Sequence, residues 1–381
     1  MQEAQSGSNA KLKVRSVGNN PVRLWGMTMD ERVRRLARSM DLHGDGSAGT
    51  ILSNNAVAYD PAWMRHLSTQ PGLVLTLDGV PVLAHARDGS EEQRLASAME
   101  SGSAPDPHAG LNVLAFEDRP LIENKQLRKR ETPFLMPLTK SNVRPLERAS
   151  YFGAYKGVTD ILTKFLWPEW ALVLTRIAAK LGMTPNMVTA IGFVCVVAAT
   201  YLFAQGEYWL GMGAGLIFMV LDTVDGKLAR CTVTSSWWGN IFDHGIDLIH
   251  PPFWWWFWAT GLAAYGLPLS DTMFWLTMFV IQGGYLLQRL IEGIFMRQNG
   301  MMHIHVWRRF DSRFRLVTAR RNPNMVILFA AMLFYRPDIG LVAVAVWTLI
   351  SLAVHTVRIF QAQAARRQGH PINSWLSGEG A

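Results

Sequence analysis

The chain has 381 residues, 49% of them hydrophobic, with a formal charge of +8 at neutral pH. That length allows two or three domains, and the only two cysteines, Cys195 and Cys231, exclude a disulfide scaffold and a cysteine-built metal cage. Most of the basic excess lies in 125–180 and 289–321, beside apolar runs, which favours anionic lipid headgroups and phosphate-bearing substrates over nucleic acid as partners.

The opening MQEAQSGSNAKLKVRS has no apolar core and no small-residue cleavage site, so the N-terminal part is expected in the cytoplasm. Residues 20–120 read as a small α/β region. GLVLTLDGVPVLAHA (72–86) breaks at Asp78-Gly79, a hairpin signal, while MTMDERVRRLARSM and GSEEQRLASAMES read as helices. LHGDGSAGTILSNN (42–55) is glycine-rich but lacks the lysine of a phosphate loop. Residues 124–148 form a basic linker with three prolines. In 151–182, aromatic and aliphatic residues interleave with Lys156, Lys164, Arg176 and Lys180. This predicts an amphipathic helix at a membrane surface, broken at Pro168, with an ordinary solvated helix face as the plain alternative.

Six apolar segments follow, at about 187–205, 208–230, 240–263, 272–297, 323–336 and 339–361, the fifth one short. The turns after the first, third and fifth carry one basic residue, Arg336. The opposite side carries Lys227, Arg230, seven arginines between 297 and 321, and Arg366 and Arg367. Positive residues mark the cytoplasmic side, so both termini are expected there, in a bacterial cell membrane. The expected organisation is a soluble α/β domain over 1–123, linker and interfacial helix over 124–182, a six-helix membrane domain over 183–365, and a tail over 366–381.

The segment 221–247, LDTVDGKLARCTVTSSWWGNIFDHGID, sets four aspartates between apolar runs. Asp222 and Asp225 are three apart, Asp243 and Asp247 four apart, so each pair shares a helix face. The two helices are consecutive and antiparallel, which brings the four carboxylates together. Near a bilayer such acids are costly unless neutralised. Lys227 and Arg230 do not suffice, and an all-carboxylate ligand set suits Mg²⁺ or Mn²⁺, two of which would clamp a phosphate. Gly226 and Gly239 inside helices mark close approach, to a nucleotide or to a neighbouring helix.

The run D222-x2-D225-G226-x2-A229-R230-x8-G239-x3-D243-x3-D247 resembles the signature of the CDP-alcohol phosphotransferases at all eight fixed positions. LGMTPNMVTAIG (181–192) resembles the start of that family's first membrane helix, and the likeness covers about 180–361. It implies six membrane helices, a cytoplasm-facing cavity and a homodimer. It also implies two ions on Asp222, Asp225, Asp243 and Asp247, with Asp247 as general base. Gly226, Ala229, Arg230 and Gly239 would line the CDP pocket, joined by Asn186 and Thr189. The reaction implied is transfer of a phosphoalcohol group from a CDP-alcohol to an acceptor alcohol with release of CMP. CDP-diacylglycerol is the favoured donor; a CDP-linked polyol such as CDP-inositol is the alternative. Some members carry a nucleotidyltransferase domain, which makes residues 1–123 a degenerate or regulatory version.

Outside the motif, Pro251 and Pro252 remove two helical donors and predict a bend that frees the Asp247 carbonyl, or a kink filled by packing. Trp254, Trp255, Trp256 and Trp258 read as packing and lipid-facing aromatics. Arg289 and Glu292 are placed to pair with each other or to serve the site. Arg289, Arg320, Arg321 and Arg358 are candidate phosphate ligands, with positive-inside topology as the plain alternative for each. His303 and His305 are a weak metal signal. The competing classes are a divalent-cation transporter and an inactive scaffold.

Overall fold

The computed structural model describes residues 11–106 and 110–378. The first ten residues, on which most of the leader reading rests, lie outside that range. The soluble part is built from β1 (Lys13–Val17), α1 (Met29–Ser39), β2 (Thr50–Asn54), β3 (Val57–Tyr59), α2 (Pro61–Ser68), β4 (Leu73–Leu77), β5 (Val80–Ala86), α3 (Gly89–Ser101) and β6 (Asn112–Ala115). Five strands make a mixed sheet in the order β1-β2-β5-β4-β6. The outer pairs are parallel and the inner pairs antiparallel. The expected hairpin is β4–β5, turning at Asp78 (φ 51°) and Gly79 (φ 79°), the paired positive values that an Asp-Gly turn supplies.

Strand alternation sorts the sheet into two buried faces. Ile51, Leu75 and Leu83 face α1 and α2, while Leu52, Val74 and Ala84 face α3 through Leu95 and Met99. Helix α1 starts at Thr28, whose side chain caps the Glu31 amide. The glycine-rich segment before β2 runs into a strand, not a helix, so no helix N-terminus receives a phosphate there.

The expected linker is structured. Strands β7 (Ile122–Asn124) and β8 (Lys129–Glu131) form a hairpin, and β9 (Leu135–Pro137) pairs with β3. The boundary expected at 123/124 therefore falls inside a strand. Helices α4 (Val143–Gly153) and α5 (Pro168–Lys180) follow, separated by a loop and a wide π turn at Leu162–Leu166. The amphipathic segment is thus shorter than 151–182. Pro168 begins α5 instead of interrupting a longer helix, and Lys156 sits in the loop. On α5, Trp170, Val173, Leu174 and Ile177 stay exposed, an apolar stripe at helical spacing.

Six helices occupy the expected apolar segments: α6 (Pro185–Ala204), α7 (Tyr208–Cys231), α8 (Trp237–Tyr265), α9 (Asp271–Gln298), α11 (Arg321–Met332) and α12 (Pro337–Arg367), with the short α10 (Arg309–Phe314) before the fifth. Among the described residues three of them, α6, α7 and α12, are long and apolar enough to cross a membrane, and the chain is an integral membrane protein. At 12 residues α11 spans about 18 Å, well short of a bilayer core of about 30 Å. Trp254, Trp255 and Trp258 are buried rather than lipid-facing, Trp254 and Trp258 against Phe203 and Trp258 also on Tyr208. Helix α8 passes through Pro251 and Pro252 without a break. The Leu248 carbonyl, deprived of its amide by Pro252, accepts instead from the Tyr285 hydroxyl at 3.0 Å.

One apolar core joins the two parts. Met29, Val33, Tyr59 and Trp63 belong to the same buried cluster as Tyr151, Trp167, Leu172, Leu228 and Cys231. Arg32, 1% exposed, donates to the Cys231 carbonyl at 2.7 Å, and Arg35 donates to that of Thr232 at 2.9 Å. Two guanidinium groups thus close the C-terminal end of α7, where carbonyls lack helical partners and the dipole favours cations.

Candidate active site

Helix α6 packs against both α7 and α8 and so fixes the spacing of the two acidic pairs. Carboxylate oxygens of Asp222, Asp225 and Asp243 lie within 4.8 Å of one another. Asp247 joins them through Arg321, which donates from Nη1 to Asp247 Oδ1 and from Nη2 to Asp222 Oδ2, each at 2.7 Å. The four acids are therefore one cluster with a guanidinium on one side. Asp225 is 3% exposed, whereas the Asp247 side chain is 44% exposed, so Asp247 is the member that can meet an incoming group.

Each acid has its own setting. Asp225 Oδ2 accepts from the Thr189 hydroxyl at 2.6 Å, and Oδ1 accepts from the Gly226 amide at 2.5 Å. Thr189 is buried, so its hydroxyl orients a carboxylate from α6. Asn186 and Gly239 meet: a Cβ at Gly239 would stand 2.9 Å from Asn186 Oδ1, so a larger residue there would push the Asn186 side chain aside. Ser236 caps α8 by accepting from the Gly239 amide at 3.0 Å. A Cβ on Gly226 would meet the Arg230 guanidinium at 3.1 Å. Arg230 donates to the Ala154 carbonyl at 3.1 Å, and Ala229 lies half-buried on the same helix.

Asp222 and Asp247 open into a cavity of about 430 Å³, the size of a small-molecule site. Arg230, Arg289, Arg320 and Arg321 from the sequence-derived set line it. Arg358 does not. Its guanidinium is held by Asp311 at 2.6 and 2.8 Å and stacks on Trp307, so it is a structural ion pair and drops out as a phosphate ligand. Arg289 pairs with Glu292 at 3.3 Å, and Arg320 places Nη2 2.6 Å from both Glu292 oxygens.

Three basic residues of the cavity wall were not among the site residues expected from the sequence: Arg128, Lys156 and Arg315. Nothing in their spacing separates them from the basic residues expected beside any membrane segment. Glu292, His305 and His355 also converge, with ligand atoms within 4.8 Å, although they come from three distant segments. Burial, then the nearby Arg128 and Arg230 charges, lowers Lys156 from 10.5 to about 8. The unfolded chain binds that proton more readily, so the lysine costs stability at neutral pH, and the cost fades as pH rises from about 8 towards 10.5. Lys156→Met should therefore raise the melting temperature at pH 7, with a gain that shrinks across that interval. A gain that does not change with pH would contradict this.

Residues 182–358 match the CDP-alcohol phosphatidyltransferase family. Over these residues the chain is similar to that family. The archaetidylinositol phosphate synthase of Pyrococcus horikoshii is 28% identical over 195 residues, 50% of this chain and 89% of the relative. Cholinephosphotransferase 1 of Gallus gallus is 32% identical over 128 residues, and the phosphatidylinositol phosphate synthase of Cutibacterium acnes 37% over 82. The aligned parts are 31% and 20% of this chain, and 37% and 40% of those two relatives. The matched span contains all four aspartates and α6, but not Arg128 or Lys156.

Proposed function

We propose that the protein transfers a phosphoalcohol group from a CDP-alcohol to an acceptor alcohol and releases CMP, in lipid synthesis. The observation that carries this reading is the meeting of the four motif acids at the mouth of one cavity, with Asp247 open to it. CDP-diacylglycerol is the favoured donor, because the site lies among apolar helices where a lipid can enter from the side. A CDP-linked polyol is the second donor class.

The donor set suits a hard divalent cation. It offers carboxylate oxygens only, and among the described residues Asp243 has no cationic partner nearer than His244 Nδ1 at 3.7 Å. Asp222, Asp225, Asp243 and Asp247 would hold Mg²⁺ or Mn²⁺, two ions by the family pattern, which when bound offsets charge on the diphosphate and on departing CMP. The chain's own residues do the rest. The close contact of Asn186 with Gly239 leaves bare backbone beside the motif, where the nucleotide fits together with Gly226, Ala229 and Arg230. Asp247 takes the proton from the acceptor hydroxyl. The oxygen forms a bond to the phosphorus that carries the donor alcohol, the bond from that phosphorus to the bridging oxygen breaks, and CMP leaves with that oxygen. No covalent enzyme intermediate is required.

Thr189 acts through Asp225. Thr189→Val keeps the shape and removes the donor, so the Mg²⁺ concentration for half-maximal CMP release should rise about 10–100-fold, as for other partners of metal ligands. An unchanged Mg²⁺ dependence would remove Thr189 from the site.

Six crossings, both termini and the cavity on the cytoplasmic side of a bacterial cell membrane, and a homodimer complete the proposal. The arginines of 297–321 and the exposed apolar face of α5 support that orientation. The front region, 1–123, is proposed as a degenerate or regulatory relative of a nucleotidyltransferase. The test is CMP release by purified protein in mixed micelles with Mg²⁺ or Mn²⁺. CDP-diacylglycerol and CDP-inositol are each offered against glycerol 3-phosphate, inositol, inositol phosphate, serine and ceramide. Metal-dependent release with one pair establishes reaction and substrates. Failure with every pair, from protein that still binds metal, turns the reading to a scaffold or a cation transporter.

A further inference from the structure

We infer that the cavity contains a second anion site, for a phosphate monoester, and that the β7–β8 hairpin, outside the matched family span, supplies part of it through Arg128. The inference rests on the proposed function, of which this would be the acceptor end.

Charge accounting motivates it. Arg128, Lys156, Arg289, Arg315 and Arg320 all line the cavity. Lys156 is within electrostatic reach of Asp243 and Asp222. The acids nearest to the four arginines are Glu292, already held by Arg320 and Arg289, and Asp160, which accepts from Thr163 and Asn322. Four arginines thus share two carboxylates, whereas Arg321 is matched by Asp222 and Asp247. The Nε atoms of Arg128, Arg289, Arg315 and Arg320, and Nη1 of Arg315, are buried without a hydrogen-bond partner among the described residues. Buried donors are rarely left unpaired, and so many at one place call for an external acceptor. Guanidinium groups arranged about one space suit an anion with several oxygens and more than one charge, which is a phosphate monoester. A metal ion at Glu292, His305 and His355 is opposed by the same guanidinium groups.

The hairpin is placed for this purpose. Arg128 lies at its tip with φ 52°, a conformation that glycine and asparagine adopt more readily than arginine. Strained backbone of this kind is common where a side chain must be aimed. The Gly157 amide donates to the Leu127 carbonyl at 2.8 Å. A Cβ on Gly157 would lie 2.6 Å from the Arg128 carbonyl, so the 154–160 loop lies flush against the hairpin. On the other side Gly378, in the C-terminal tail, packs against the Arg130 guanidinium. Held between these segments, Arg128 comes within electrostatic reach of Arg320 and Glu292. The cavity then has an acidic end and a basic end. A phosphorylated alcohol anchored at the basic end presents its hydroxyl towards Asp247.

The experiment uses the full chain in detergent micelles with saturating CDP and Mg²⁺, so that the acidic end is occupied. Orthophosphate is titrated and binding read as thermal stabilisation and by calorimetry. Wild type should bind it, and Arg128→Gly and Arg315→Gln should each bind about tenfold or more weakly, the loss expected of a charged hydrogen bond. Glycine suits φ 52°, so Arg128→Gly should melt as wild type does. Glycerol 3-phosphate should displace orthophosphate. Displacement by phosphatidic acid in the micelle, but not by glycerol 3-phosphate, would assign the site to a lipid phosphate and overturn the acceptor role. No orthophosphate binding by wild type, or undiminished binding by Arg128→Gly, also overturns it. Orthophosphate binding without any stabilisation by CDP would sink the transferase reading while leaving the anion site standing.

Discussion

Asp247→Asn should lower the rate of CMP release by about 10²–10⁴-fold, the range for loss of a positioned proton acceptor. Asparagine has nearly the same shape, and its Oδ1 can still accept from Arg321 Nη1, which lies 2.7 Å from Asp247 Oδ1. The position of Arg321 and the fold should therefore survive, and the loss should fall on the chemical step. Asp247 is the most open of the clustered acids, which suits a residue that must reach an incoming hydroxyl. Single-turnover rates at saturating donor and metal separate the step from binding. Retention of more than about a tenth of the rate would assign proton removal to another group.

Glu292→Gln should be the most damaging substitution for stability, at about 3–5 kcal/mol, the cost of removing one partner from a buried ion pair. The Glu292 side chain is 12% exposed, and it stands 2.6 Å from Arg320, 3.3 Å from Arg289 and 3.3 Å from His305. Glutamine keeps the size and discards the carboxylate that Arg289 and Arg320 share. The melting temperature in detergent should drop, and the double variant Glu292→Gln with Arg320→Met should drop by less than the sum of the two single changes. Additive losses would mean that the pair is not coupled. Orthophosphate should restore part of the loss if the basic wall receives an anion.

The aspartates were legible because their spacing is tied to helix geometry: three or four residues return a side chain to the same face. The apolar segments and the Asp78-Gly79 hairpin were legible for similarly local reasons. The basic wall was not. Arg128 is carried by a hairpin tip, Lys156 by a loop and Arg315 by the turn after α10, and only tertiary packing brings them together. Beside membrane segments, basic residues have a topological explanation that hides any other role. Arg358 shows the reverse error: it looked free in sequence, but its partner Asp311 lies 47 residues away. The segment 124–148 read as a linker because its strands are three residues long and pair at a distance, β9 with β3 across nearly eighty positions.

Arg32 and Arg35, bonded to the last carbonyls of α7, have a consequence for how such enzymes are built. The stretch shared with relatives begins near residue 182, yet the helix that carries Asp222 and Asp225 is closed by side chains from residues 32 and 35. The inherited segment and the cooperative folding body have different borders. Transplanting 182–358 behind a foreign front end would carry over the whole acidic motif but leave α7 frayed at its end, and Thr223, Leu228 and Cys231 without the cover of Tyr151 and Trp167. Chimeras of this protein should be cut ahead of β1, so that the front end travels with the catalytic helices.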